Sequence, residues 1–166
     1  MKPILIFFYG DSNTGKTNVL KKLGEWFHHR CTEYFELRKG SDSTDLHMAI
    51  KYKMGICRVG IGTSGDDTQH VKENLDFFRS RRYFPSNEYR IFITAARKPH
   101  SDSIYQDDVD MVKMLKRYSC IDIPRNFLTD KGREDKASIK LVREDDLFVY
   151  LQTVIQTKKR LGFSFA

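Results

Sequence analysis

A chain of 166 residues, 40% hydrophobic and 31% charged, can bury one substantial core but has little room for a second, which argues against disorder and for a single domain over residues 1–166. Its net charge of +7 favours anionic partners, nucleotide phosphates and nucleic acid among them. With no apolar run approaching the ~20 residues that cross a bilayer, and three scattered cysteines lacking C-x-x-C spacing, a cytoplasmic protein with reduced thiols and no membrane partner is expected.

Residues 4–9, Ile4-Leu5-Ile6-Phe7-Phe8-Tyr9, form an unbroken apolar run, as expected of a strand buried on both faces in the middle of a parallel sheet. Directly after it, Gly10-Asp11-Ser12-Asn13-Thr14-Gly15-Lys16-Thr17 fits the phosphate-loop pattern G-x-x-x-x-G-K-[ST] at every fixed position. Glycines let the backbone turn tightly enough to aim its N–H groups at phosphate oxygens, and the following helix adds unpaired N–H groups and the positive end of its dipole. Lys16 would reach the β- and γ-phosphates as a flexible point charge, and the Thr17 hydroxyl would be a magnesium ligand. The helix is expected over residues 16–28, where Val19, Leu20, Leu23, Trp26 and Phe27 recur at helical spacing; Asn18, in its first turn, completes the expected phosphate-binding set.

Aromatic and β-favouring residues predict a strand over 31–38, which the polar run 39–45 ends. Two β-like segments follow, 46–53 and 55–62, so close together that they predict an antiparallel hairpin. Asp66 and Asp67 then open a helix carrying Val71, Leu75 and Phe78 on one face and ending near Arg79-Ser80-Arg81-Arg82. A buried strand is expected at 89–96, a basic loop at 97–103, and a helix opened by Asp107, Asp108 and Asp110 and running to about Tyr118. Beyond it, 121–128 reads as a short strand or an irregular crossing, 138–142 as a short strand, and the segment from Glu144 as a last helix with Leu147, Phe148, Leu151, Val154 and Ile155 in a stripe. Strands alternating with helices give an α/β fold, a three-layer α/β/α sandwich whose mostly parallel sheet includes an antiparallel hairpin at about 46–62.

Residues 4–27 resemble the opening strand, Walker A loop and first helix of the P-loop NTPase superfamily, and the chain's size resembles that of the small kinase-like branch. The resemblance implies that fold and a magnesium-bound nucleoside triphosphate. Such a site needs a carboxylate that holds magnesium at the end of a neighbouring strand. Asp66 is the first candidate, as metal or water-positioning residue or as a helix cap; Asp67 is the better cap, and Asp42 and Asp45 are further candidates. Arginine can stabilise charge on a transferred phosphoryl group. Arg97, with Lys98 beside it, follows a strand expected to end near the nucleotide, whereas Arg79, Arg81 and Arg82 read either as a lid cluster or as a solvated basic surface.

Where a Ras-like GTPase carries N-K-x-D, this chain has Thr94-Ala95-Ala96-Arg97-Lys98, which disfavours GTP and makes ATP the expected nucleotide. The five histidines form no zinc pattern and receive no role. The expected function is that of a magnesium- and ATP-dependent P-loop enzyme. It would hydrolyse ATP or transfer its γ-phosphoryl group to a small-molecule or macromolecular acceptor, with Lys16, Asp66 and Arg97 catalytic and Thr17 and Asp66 on the metal. The alternatives are a nucleotide-controlled interaction module with little turnover and a nucleic-acid-associated NTPase.

Overall fold

The apolar run at 4–9 lies near the middle of a mixed six-stranded sheet. The computed structural model describes residues 2–11, 15–29, 31–38, 45–52 and 57–124, all within one compact unit. The strand expected at 138–142, the helix expected from Glu144, loop residues Ser12, Asn13 and Thr14, and Asp42 lie outside the described residues. The strands are β1 (Ile4–Tyr9), β2 (Cys31–Arg38), β3 (Leu46–Tyr52), β4 (Cys57–Gly62), β5 (Tyr89–Ala96) and β6 (Ser119–Pro124). The helices are α1 (Lys16–His28), α2 (Thr68–Phe78), α3 (Ser103–Gln106) and α4 (Val109–Leu115).

Lateral order in the sheet is β2-β3-β4-β5-β1-β6. β4, β5, β1 and β6 run parallel, with Ile6 of β1 opposite Ile93 on one side and Ile121 on the other. The expected hairpin is β3 with β4, and β2 adds antiparallel to β3, extending it to a three-stranded meander. The chain is thus α/β with a mostly parallel sheet. Burial follows this order: β1, β4 and β5 are covered almost throughout, while Phe35 and Leu37 on the edge strand β2 are exposed.

Helices cover both faces. α1 sets Leu20, Leu23 and Phe27 inward, and its Gly24 lies so close to the Met48 thioether of β3 that a Cβ would require the methionine to move. The glycine that weakens the helix by about 1 kcal/mol thus makes room for the methionine side chain. On the other face, Val71, Leu75 and Phe78 of α2, Tyr105 of α3 and Met111 and Leu115 of α4 meet Leu5 and Phe7 of β1 and Phe92 of β5. Phe78 stacks on Phe92 at 4.6 Å between ring centres, and Phe84 meets Phe92 edge-on at 5.0 Å. Each buried ring contributes roughly 1.5–3 kcal/mol.

Carboxylates start the helices after α1. Asp67 caps α2 by accepting from the His70 N–H at 2.8 Å, and that bond holds its carboxyl below the usual range. The helix expected from 107 to about 118 is α4, and the short α3 forms just before it, after the basic loop. Asp102 caps α3, and Asp108 accepts from the N–H groups of Asp110 and Met111 to start α4. Among the described residues no helix is long and apolar enough to cross a membrane.

Candidate functional site

Parallel β1, β4 and β5 all end at the same edge of the sheet, and the segments following them meet there. After β1 the chain stays attached to its neighbour, with the Gly10 N–H donating to the Ala96 carbonyl at 3.1 Å. Gly15 immediately precedes α1 at φ 82°, the left-handed region that only glycine enters cheaply. A side chain there would strain the turn that delivers Lys16 and Thr17 to the first turn of the helix.

The Lys16 side chain folds back over this turn. It is 6% exposed and its ammonium donates to the carbonyls of Gly10 at 2.5 Å and Asp11 at 2.7 Å. Burial lowers its pKa from the ordinary lysine value; the Asp66 carboxylate opposes that shift, and the Arg97 guanidinium adds to it. The three residues expected to carry the chemistry, Lys16, Asp66 and Arg97, are therefore electrostatic neighbours although they come from three different loops. An arriving phosphate would favour the charged lysine.

Asp66 reaches this position by an indirect route. Of the two strands beside β1, β5 leads into Ala95-Ala96-Arg97 and brings no carboxylate, and Asp122 of β6 is engaged by His100. β4 lies one strand further out, about 10 Å from β1 at the usual strand spacing. The segment 63–65 crosses the end of β5 to cover that distance. Gly65 lies against the backbone of Ala95 and Ala96, where any Cβ would collide with the Ala95 carbonyl. Thr63 is tied at one end of the crossing, its N–H donating to the Leu46 carbonyl at 3.1 Å and its hydroxyl accepting from the Leu46 N–H at 2.8 Å. Its carbonyl accepts from the Thr17 hydroxyl at 3.1 Å, joining the crossing directly to α1. Asp45 stands near the same hydroxyl, 3.4 Å from Thr63 Oγ1.

A cavity of about 320 Å³ lies between these parts, lined by Gly15, Lys16, Thr17 and Asn18 on one side and Thr63, Gly65, Asp66 and Ala95 on the other. The donor set and volume fit a phosphate chain. Thr17 and Asp66 supply one hydroxyl and one carboxylate, which suits magnesium, an ion that keeps several waters and takes few protein ligands. Among the described residues no group of three or more His, Cys, Asp or Glu gathers, and a site of this kind requires none.

Several residues without an expected role hold the site together. Asn74, fully buried on α2, donates to the Ser64 carbonyl at 2.5 Å and the Thr94 hydroxyl at 2.9 Å, and its Oδ1 lies 2.8 Å from His47 Nε2. One side chain thus pins β3, β5 and the crossing loop. The signal in the sequence is an amide inside the apolar stripe Val71, Leu75, Phe78. Asn74→Ala is expected to destabilise the fold by about 1–3 kcal/mol, because buried polar partners lose their bonds together, and thermal denaturation checks this.

On the other side, the buried Tyr105 hydroxyl lies against the backbone of Arg97 and Lys98. Asp122 of β6 accepts from both the N–H of His100 and its Nδ1, each at 2.8 Å. These contacts fix the loop that presents Arg97. The exposed Arg79 and Arg81 lie elsewhere, around a second cavity with Pro3, Arg90 and Tyr118, where the parallel strands begin. Arg82 lies over the Tyr83 ring at 5.5 Å.

Comparison of the chain with protein-family models, with curated proteins and with solved structures finds no match.

Proposed function

We propose that this chain is a magnesium-dependent P-loop ATPase of the three-layer α/β/α type, cleaving the γ-phosphoryl group of ATP at the edge where β1, β4 and β5 end. The observation that carries the reading is the convergence of Lys16, Thr17 and Asp66 on one polar cavity of about 320 Å³, with the Arg97 guanidinium near enough to Lys16 to lower its pKa. Four residues from three separate loops meet where a phosphate loop alone would need only the first two.

In this reading the N–H groups around Gly15 and the start of α1 hold the β-phosphate, and Lys16 exchanges its Gly10 and Asp11 carbonyl bonds for phosphate oxygens. Thr17 and Asp66 would hold a magnesium ion, which would supply neutralisation of phosphate charge. Asp66 is exposed and carries its carboxylate toward the end of the phosphate chain, where it orients the attacking water. Arg97, also solvent-facing, stabilises charge on the departing phosphoryl oxygens. Water is the preferred acceptor because Asp66 and Arg97 both meet solvent. Adenine is preferred because β5 leads into Ala95-Ala96-Arg97-Lys98 rather than a guanine-reading N-K-x-D.

A phosphate-release assay with Mg-ATP, run beside transfer assays on a panel of small-molecule acceptors, tests the reaction. Release of phosphate into water that falls about 10²-fold or more in Arg97→Ala supports the reading. Phosphoryl transfer without release would make the chain a kinase, and neither activity would leave nucleotide binding without catalysis.

A further inference from the structure

The second cavity lies at the opposite edge of the sheet from the phosphate loop. It has a volume of about 330 Å³ and is lined by Pro3 before β1, Arg90 at the start of β5, Tyr118 before β6, and Arg79, Arg81 and Arg117. Strands of six residues separate the two edges by about 20 Å, so a triphosphate held at one cannot reach the other. Beneath the arginines the lining is apolar and closed: Phe78, Phe84 and Phe92 are each no more than 2% exposed.

Four guanidinium groups from separate parts of the chain share this opening. Burial raises the pKa of the Tyr118 hydroxyl, and Arg117, Arg79 and Arg90 each oppose that shift, in keeping with their place around the same opening. Nearby carboxylates pair with at most one of them. Asp76 meets only Arg79, at 3.4 Å and in solvent, and Glu88 is held by Arg58. Among the described residues Arg81, Arg90 and Arg117 form no ion pair. Unneutralised like charges repel at this spacing, and an anionic ligand removes that penalty.

We propose that this arginine-ringed cavity is a binding site for the phosphodiester backbone of a nucleic acid, separate from the phosphate cradle. Its form favours a polyanion over a single small anion. A fitted phosphate site uses buried backbone N–H groups, whereas Arg79, Arg81 and Arg117 are exposed, spread around an open rim, and suited to successive phosphates. The closed aromatic floor gives no platform for stacking bases, so recognition is by charge and independent of sequence. The net charge of +7 acts in the same direction.

The test is fluorescence anisotropy of a labelled single-stranded oligonucleotide of mixed sequence, titrated with the full chain over a series of salt concentrations. Wild type is expected to bind at low salt, and Arg81→Ala with Arg117→Ala to weaken binding about 10-fold and reduce the salt slope by about 1–2. Lysine at both positions should restore most of the affinity, and binding of a fluorescent ATP analogue should remain within about twofold of wild type, since neither arginine lines the phosphate cradle. Oligonucleotide binding that is absent at low salt, or unchanged in the double alanine variant, overturns the proposal. So does displacement by inorganic pyrophosphate as effective as by unlabelled oligonucleotide at equal phosphate concentration, which would make this a small-anion site. Loss of the nucleotide analogue in Lys16→Ala with oligonucleotide binding intact would separate the two sites and support the assignment.

Discussion

Lys16→Ala is expected to reduce ATP turnover by about 10²- to 10³-fold, the scale on which one preorganised transition-state donor contributes. Affinity for the triphosphate should fall with it, because in the proposed reading the same ammonium would meet the β- and γ-phosphates in ground and transition states alike. Stability should respond differently. The ammonium is 6% exposed, and its lowered pKa shows that burial penalises its charge, so removing it relieves desolvation while losing two bonds to carbonyls. These effects oppose each other, and a thermal midpoint within about 5 °C of wild type is expected. A variant that loses turnover and also unfolds would show that Lys16 is structural. Steady-state kinetics and a thermal melt on one preparation distinguish the two.

Asp66→Asn is expected to lower magnesium-dependent turnover by about 10²-fold while leaving nucleotide affinity nearly unchanged, since the amide keeps the shape but loses the charge that holds the ion and orients water. Its neighbour provides the control. Asp67 accepts from the His70 N–H at 2.8 Å as the cap of α2, so Asp67→Ala should reduce stability by about 1 kcal/mol and leave turnover close to wild type. The cap also has a pH signature. A carboxyl lowered by a hydrogen bond stabilises the fold above its unfolded value near 3.8, and that contribution is lost as pH falls through its lower folded value. Equal loss of turnover in both variants would mean that the start of α2 merely supports the loop and that the metal carboxylate lies elsewhere.

Much of the fold was readable because the signals are local. The 4–9 strand is an apolar run, the 16–28 helix has 3.6-residue spacing, and the β3–β4 hairpin follows from two close β-like segments. Lateral strand order is not a local property. Nothing in the residues of β5 announces that it lies between β1 and β4, and so the polar segment before Asp66 reads as an imperfect metal motif until the crossing over Ala95 and Ala96 explains its length. The arginines after α2 are a different case. A helix of 11 residues that starts where parallel strands end travels about 16 Å back toward where they begin, which puts Arg79 and Arg81 far from the phosphate loop. That much follows from the βα connection alone. Asn74 and Tyr105 were harder to recognise, because their roles depend on partners 20 residues and 7–8 residues away that only the folded chain brings into reach.

The cradle's geometry leads to a distinct order of ligand affinity, and competition against a fluorescent ATP analogue in the presence of magnesium measures it directly. If Lys16 and the turn at Gly15 hold the β- and γ-phosphates as proposed, ATP and ADP should displace the analogue at similar micromolar concentrations while AMP, lacking a β-phosphate, should be weaker by about 10²-fold or more. Displacement by AMP as effective as by ATP, or failure of the analogue to bind at millimolar concentration, would contradict a phosphate cradle at residues 10–17.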